Sequence, residues 1–335
     1  MADTRERARG ALYGLAIGDA LGMPTQLLSP EEVIRKFGRL GNFEPADDDH
    51  PIAAGMPAGS VTDDTEQALL LAHALLDGAG HVDESAFARA LIEWEEAMRA
   101  RGSLDLLGPS TKSAVAAILA GAPVSEAGRH GTTNGAAMRV APIGIAVESG
   151  DLSTLVDRVV EASAVTHNTG IALAGASAVA AAVSAGIDGA DVSEAIECGI
   201  VAARIGQERG HWAPGASIHR RIELATSLAD PLLPDASLRN LRELIGTSLA
   251  TQESVPMAFG ILAMLKDNPW DACLAAAAQG GDSDTIAAMV GAIGGACHGV
   301  NGFPPEAVAT IRSVNNLDFD AVADRLLELR GVPGQ

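Results

Sequence analysis

The chain has 335 residues, 47% of them hydrophobic, with a formal net charge of -20 and three cysteines. That length and apolarity suffice for a substantial core, in one large domain or two ordinary ones. The acidic balance excludes nucleic-acid binding driven by electrostatics, because no basic excess is available to replace phosphate counterions, although a local basic pocket stays compatible with it. Cys198, Cys273 and Cys297 are odd in number, lack CxxC spacing and lie in Ala-rich helical contexts, so they are expected to be buried free thiols in a reducing compartment, the cytoplasm.

At the N-terminus, MADTRERARGALYGLAIGDALG sets basic residues before an apolar run, as a signal peptide does. Asp19 comes too early and no small-residue cleavage pattern follows, so no targeting segment is expected. Residues 44–59, EPADDDHPIAAGMPAG, form an expected surface loop. Helical hydrophobic period then dominates, in TEQALLLAHALLDGAG, ESAFARALIEWEEAMRA, GPSTKSAVAAILAGAP, SEAIECGIVAARIG and PEAVATIRSVNNL. Glu93, Glu95, Glu96 and Arg99 in the second of these mark a solvated face. Gly78, Gly121, Pro123, Gly150 and Gly206 close segments, predicting helices of about two to five turns joined by short loops. The stretch GIALAGASAVAAAVSAGIDGA, Gly170 to Ala190, has the length of a membrane span, but Ala, Gly and Ser gain little from lipid and let helices approach closely. It is therefore expected to be the central helix of a bundle, with no membrane partner. Residues 227–237, SLADPLLPDAS, are a second expected surface loop. Strand-like alternation is nearly absent and aromatics make up 3%, so the prediction is one compact all-α domain over residues 1–335 with Ala and Leu filling its core.

Two acidic motifs stand out. GSVTDDTEQALLLAHALL sets Thr62, Asp63, Asp64 and Thr65 before an apolar helix, and GDSDTIAAMVGAIGGACHG does the same with Asp282, Asp284 and Thr285. Asp, Ser and Thr at a helix start ordinarily accept hydrogen bonds from free backbone N–H groups and favour the positive end of the helix dipole. One capping side chain is enough, however, and each motif offers two carboxylates before a helix that reads as buried, where unpaired carboxylates are costly. If the motifs meet, four Asp carry a formal -4, which two divalent cations would cancel. Oxygen-only ligands point to Mg2+ or Mn2+ rather than zinc. In the middle of the chain, Asn134-Gly135 is a turn dipeptide able to expose backbone N–H groups to an anion. Arg139, flanked by apolar residues, suits a structural ion pair, and His167 with Asn168 suits either a helix cap or a ligand contact.

Taken in order, GLAIGDALGMP, TDDT, NGAAMRVAPIG, THNTG and GGDSDTIAAMVGAIGGACHG resemble the ADP-ribosylglycohydrolase family, which includes the dinitrogenase reductase-activating glycohydrolase and the crystallin J1-like proteins. The resemblance spans roughly residues 7 to 300 and rests on five motifs in the family order. It implies a compact all-α fold with a two-metal centre, magnesium or manganese, in a cleft that holds a ribose. By the same resemblance, Thr62, Asp63, Asp64, Asp282, Asp284 and Thr285 would be metal ligands, and Asn134, Gly135, Ala136 and Met138 would line the substrate pocket, with Arg139 supporting their loop. His167 and Asn168 would stand near the distal ribose or diphosphate. The implied reaction is hydrolysis of a C1 ribosyl bond through an oxocarbenium-like transition state, with Asp63 or Asp64 able to take a proton from water. The substrate would be an ADP-ribosylated protein or nucleic acid, or a small ADP-ribose conjugate.

The pattern breaks at two places. Many members carry Glu after GDALGMPT, where this chain has Gln26, and some carry Asp where it has Gly131. An amide is no general base near neutral pH. Either Gln26 only hydrogen-bonds the substrate and the base role falls to Asp63, Asp64 or water at the metals, or the substrate differs. A small ribosylated metabolite or nucleoside is the alternative, since few aromatic rings are available to stack on adenine. A non-catalytic, crystallin-like metal-binding protein and a two-metal phosphatase are the readings from other classes.

Overall fold

The structure, a computed structural model describing residues 2–103 and 107–330, contains no strand among those residues. Its helices are α1 (Thr4–Gly22), α2 (Pro30–Phe37), α3 (Asp63–Asp77), α4 (Glu84–Ala100), α5 (Pro109–Leu119), α6 (Val124–Ala127), α7 (Gly135–Met138), α8 (Ala141–Ala146) and α9 (Leu152–His167). They continue with α10 (Gly170–Ile187), α11 (Val192–Gln207), α12 (Ile218–Ser227), α13 (Pro234–Leu244), α14 (Thr251–Met264), α15 (Pro269–Ala277), α16 (Ser283–His298), α17 (Pro305–Asn315) and α18 (Asp320–Leu329). The expected all-α class holds. Residues 1, 104–106 and 331–335 of the expected domain lie outside the described residues.

Glycine at positions 10, 14, 18 and 22 gives α1 one bare face, a residue per turn. That face lies antiparallel on α16: a Cβ added at Gly10 would strike the Gly295 carbonyl, one at Gly14 that of Gly291, one at Gly18 that of Ala287, and one at Gly22 the Asp284 backbone. Backbones approach this closely because α1 presents no side chain on this face, and at Gly291 and Gly295 α16 presents none either. The ladder sets the register that brings Asp284 beside the C-terminal end of α1, one turn from Asp19.

Helix α10 is the membrane-length segment, and all of its 18 residues are buried inside the protein. Its Ala, Gly and Ser side chains let α8, α9, α11, α14 and α16 pack around it, which is the central position expected of it. Arg7 ties this centre together by donating to the carbonyls of Gly186 at 2.6 Å and Ala296 at 3.2 Å, which satisfies helix C-termini that have no intrahelical partner.

Local differences from the sequence reading have local causes. Pro234 starts α13 inside the stretch read as loop, because proline is preorganised for a first helical turn. Gly206 lies inside α11 rather than beyond it, close against Ser177 of α10. Helices α6 and α7 have four residues each and α8 has six, shorter than the two turns expected. Cys273 and Cys297 are buried free thiols, whereas Cys198 is half-buried, on the side of α11 that only partly faces the core.

Candidate active site

The TDDT motif is shaped by a residue outside it. Thr62 is the N-cap of α3, and its hydroxyl accepts from the Asp64 N–H at 3.4 Å, so the motif has one capping side chain. Asp19, on α1 and fully buried, accepts from the Thr62 N–H at 3.0 Å, the Thr62 hydroxyl at 2.8 Å, the Thr65 N–H at 3.2 Å and the Thr65 hydroxyl at 2.5 Å. Burial raises the Asp19 carboxyl to about 6, and the bonds from Thr65 and Thr62 hold it from rising further. In the sequence, Asp19 counts against a signal peptide and lies within GLAIGDALGMP, but nothing there gives it a role in the site. Its structural signal was present nonetheless, as the one acid in the otherwise uncharged run 10–22 of α1.

The second motif is built differently. Asp282 is the N-cap of α16 but makes no capping hydrogen bond. Its Oδ2 instead accepts from Asn134 Nδ2 at 2.5 Å, and the same amide donates to Ser254 of α14 at 2.9 Å. Asn134 therefore serves as more than a turn residue, joining the middle loop to the acidic helix start. Gly280 and Gly281 precede Asp282 with φ of +65° and +66°, and a Cβ at Gly280 would strike the Leu28 carbonyl. Only glycine suits this loop, which is laced to residues 25–28 by Leu27 N–H to the Gly281 carbonyl at 2.6 Å and Gly281 N–H to the Leu28 carbonyl at 3.0 Å. Thr25 adds a 2.9 Å hydroxyl contact to Ser283. Gln26 sits between these two ties, 4% exposed, with Nε2 buried and without a hydrogen-bond partner.

The two motifs meet, as sequence alone could not establish. Thr285 Oγ1 donates to Asp64 Oδ2 at 3.3 Å across 221 residues of chain, and the other oxygen, Asp64 Oδ1, is buried with no hydrogen-bond partner. Burial first, then the charges of Asp284, Asp63, Asp19 and Asp282, hold the Asp64 carboxyl well above the usual range. Asp282 is raised to about 6 by burial, opposed by bonds from Asn134 and Thr285. Among the described residues, no ion pair reaches Asp19, Asp64 or Asp282, and no three His, Cys, Asp or Glu side chains already form a metal shell. The donor set is all oxygen, which suits a hard cation.

The remaining predicted residues stand behind or beside this junction. Asn134, Gly135, Ala136 and Met138 are buried, the last three in α7, which packs against α9, α10 and α16. His167, at the end of α9, has no exposed surface, and its Nε2 is 2.9 Å from the Thr133 hydroxyl and its Nδ1 2.8 Å from that of Thr166. Helix α10 is capped by Thr169, so capping falls to neither His167 nor Asn168; Asn168 is half-buried at the turn. Among the described residues, Arg139 makes no ion pair of the kind the sequence suggested. It donates from Nη1 to Gln67 Oε1 at 2.9 Å and from Nη2 to Thr166 Oγ1 at 2.6 Å, under the Phe87 ring at 5.1 Å. Burial lowers its guanidinium to about 10, partly offset by the charge of Asp63. Gln67 in turn donates to Asp63 Oδ2 at 2.7 Å. At Gly131 a Cβ would strike the Thr166 carbonyl, so this backbone has no room for the Asp of some relatives. Sequence reading gave no role to Gln67, Thr133, Thr166 or Ser254, although Thr166 opens THNTG and Gln67 follows TDDT; they matter by contact. A separate cleft of about 280 Å³ between α3 and α4, lined by Leu70, His73, Asp77 and Phe87, contains none of Asp19, Asp63, Asp64, Asp282 and Asp284.

A helical bundle that brings two Asp-Thr helix starts and an Asn-Gly loop together around buried carboxylates defines a class, and sequence comparison identifies it. The ADP-ribosylglycohydrolase family model matches residues 1–335, and the chain belongs to this family. It is 38% identical over 328 residues to YegU of Escherichia coli K12, covering 97% of each chain, and 34% identical over 298 residues to a protein of Archaeoglobus fulgidus, covering 87% of each. It is 29% identical over 313 residues to the ADP-ribosylarginine hydrolase Tri1 of Pseudomonas putida, covering 91% of this chain and 74% of that protein. A solved ADP-ribosylglycohydrolase-related protein complex shares the fold, with a TM-score of 0.72 and 24% identity over 98% of this chain and 99% of that one. By class, the protein is a hydrolase of ADP-ribose conjugates.

Proposed function

We propose that the protein hydrolyses the C1 ribosyl bond of an ADP-ribosyl conjugate with two divalent cations, Mg2+ or Mn2+, held by Thr62, Asp63, Asp64, Asp282, Asp284 and Thr285. The observation that carries this reading is the Thr285 to Asp64 bond at 3.3 Å beside the partnerless, buried Asp64 Oδ1. A buried carboxylate oxygen without a hydrogen bond is costly, and a hard cation is a ligand that suits it. When bound, such ions neutralise the acids and orient ribose hydroxyls.

The chain's own groups supply the rest. As the C1 bond breaks, positive charge develops on the sugar, and any carboxylate oxygen of Asp63, Asp64, Asp282 or Asp284 left free of metal would stabilise it electrostatically. Asp63 is half-buried in the first turn of α3, with Oδ2 fixed by Gln67, which suits it to accept the proton of the attacking water. Gln26 cannot take that role; its buried Nε2 is suited to donate to an oxygen of the substrate. The substrate class follows the family and the likeness to an ADP-ribosylarginine hydrolase. The three free thiols fit a cytoplasmic setting.

A nucleoside or small ribosylated metabolite is the second reading. The one tyrosine, Tyr13, is buried edge-on against Phe319 at 5.1 Å and offers adenine no ring. The test is a hydrolysis panel of ADP-ribosyl-arginine, O-acetyl-ADP-ribose and simple nucleosides, with Mn2+, with Mg2+ and with chelator. Metal-dependent release of ADP-ribose is expected. Turnover of nucleosides alone would replace the first reading with the second, and undiminished turnover in chelator would remove the metals from it.

A further inference from the structure

Arg139 is the largest fully buried side chain among the described residues, yet both groups that its Nη atoms meet are neutral. A buried cation is ordinarily retained for what it bonds, and here the bonds run to α3 on one side and to α9 on the other. Because a guanidinium only donates, the Gln67 oxygen must face it, and the Gln67 amide N–H must then face Asp63 Oδ2, 2.7 Å away. On the other side, Arg139 Nη2 occupies a Thr166 lone pair, and the acceptor left for the Thr166 proton is His167 Nδ1 at 2.8 Å. His167 is neutral, since burial and then the Arg139 charge hold its imidazole well below the ordinary range. With Nδ1 accepting, the ring proton lies on Nε2 and is donated to Thr133 Oγ1 at 2.9 Å. Thr133 thus accepts from behind, and its own proton is left to point away from His167. Thr133 is half-buried and adjoins Asn134, which holds Asp282.

We infer that Arg139 is a positioning residue that sets hydrogen-bond polarity in two arms at once: through Gln67 it orients Asp63, and through Thr166 and His167 it makes Thr133 a donor toward the substrate. The inference rests on the proposed metal site for its first arm and on the proposed substrate for its second. The tautomer of His167 is independent of both. It predicts a specificity role for Thr133, whose hydroxyl would meet an acceptor such as a phosphate or ribose oxygen.

Arg139 variants risk misfolding, so the arms are cut separately with Gln67→Met and Thr166→Val. Ring 15N shifts of His167, identified by its loss in His167→Gln, should show an Nε2–H tautomer in the metal-free native protein at pH 7 and a changed tautomer balance in Thr166→Val. An Nδ1–H tautomer in the native protein would overturn the inference without touching the proposed function. Calorimetry should show Gln67→Met weakening Mn2+ about 10-fold and ADP-ribose less, as for groups that orient metal ligands. Thr166→Val should weaken ADP-ribose about 5–10-fold and leave Mn2+ within about twofold, the loss of a hydrogen bond at the substrate. Equal losses of both ligands in both variants would mean a merely structural role. A native protein that binds no Mn2+ but shows the Nε2–H tautomer would defeat the proposed metal site while leaving the second arm standing.

Discussion

The helix starts at Asp63 and Ser283 share a sequence pattern but are held in opposite ways. At α3, Thr62 does the capping and Asp19 gathers the loop with bonds to both Thr62 and Thr65. At α16, Asp282 sits in the capping position but turns its carboxylate to Asn134, on a loop from the middle of the chain. The first wall is clamped from α1 by one carboxylate, whereas at the second the Asp282 carboxylate is held by an amide from a distant segment and the glycine loop before it by backbone ties to residues 27–28. Two motifs that look alike can therefore differ in rigidity, because capping, burial and tertiary bonding compete for the same carboxylate.

Removing either wall should have the largest effect. Asp64→Ala and Asp284→Ala are each expected to abolish Mn2+ binding by calorimetry and to reduce hydrolysis about 10³-fold, the several kcal/mol assigned to metal-assisted charge stabilisation. Full turnover in either variant would end the two-wall comparison. Asp19→Asn should come next. It leaves the metal-ligand side chains unaltered but sets an amide N–H against the donors of Thr62 and Thr65, so Mn2+ affinity should fall about 10–100-fold with a loss of ~2 kcal/mol in denaturant unfolding. Asn134→Ala should weaken Mn2+ about 10-fold and cost less stability than Asp19→Asn, because it frees one bond at a half-buried Asp282. An equal loss in the two variants would show that the walls are clamped alike.

The pH dependence tests the shared electrostatics. Asp19 and Asp282 move from near 3.8 to about 6 in the fold, so the native state binds more protons than the unfolded chain across that interval. Their contribution is therefore fully present below about 4 and is lost as pH rises through about 6. In chelator, scanning fluorimetry should give a melting temperature a few degrees lower at pH 7.5 than at pH 5.5, about the shift that 1–2 kcal/mol produces. Mn2+ should remove that difference. The smallest effect is expected at Gln26. Gln26→Met deletes a buried donor with no partner in the protein, so the melting temperature should stay within about 2 °C while KM for the conjugate rises severalfold.

Much of the fold was legible in sequence because its signals are local. Hydrophobic period marked α3, α4, α5, α11 and α17, and small side chains marked α10 as a core helix. The acidic motifs were equally visible, since two carboxylates exceed what a cap requires. Less visible was the glycine ladder on α1, whose meaning depends on the opposing glycines of α16. Gln67 and Thr166 lie within the stretches TDDTEQ and THNTG, but nothing there gave them a role, because an ordinary polar residue on a helix becomes part of a site only through what faces it.

The sequence by itself determined the all-α class, the helix starts, the acids and the departure at Gln26, since composition, periodicity and motif depend only on neighbours along the chain. Only the tertiary structure decided that Asp64 meets Thr285, that Asn134 holds Asp282, that Asp19 clamps Thr62, and that Arg139 is bonded to neutral groups. Those contacts join residues far apart in the chain, and their geometry follows from which helix faces pack closely enough to bury the charges between them.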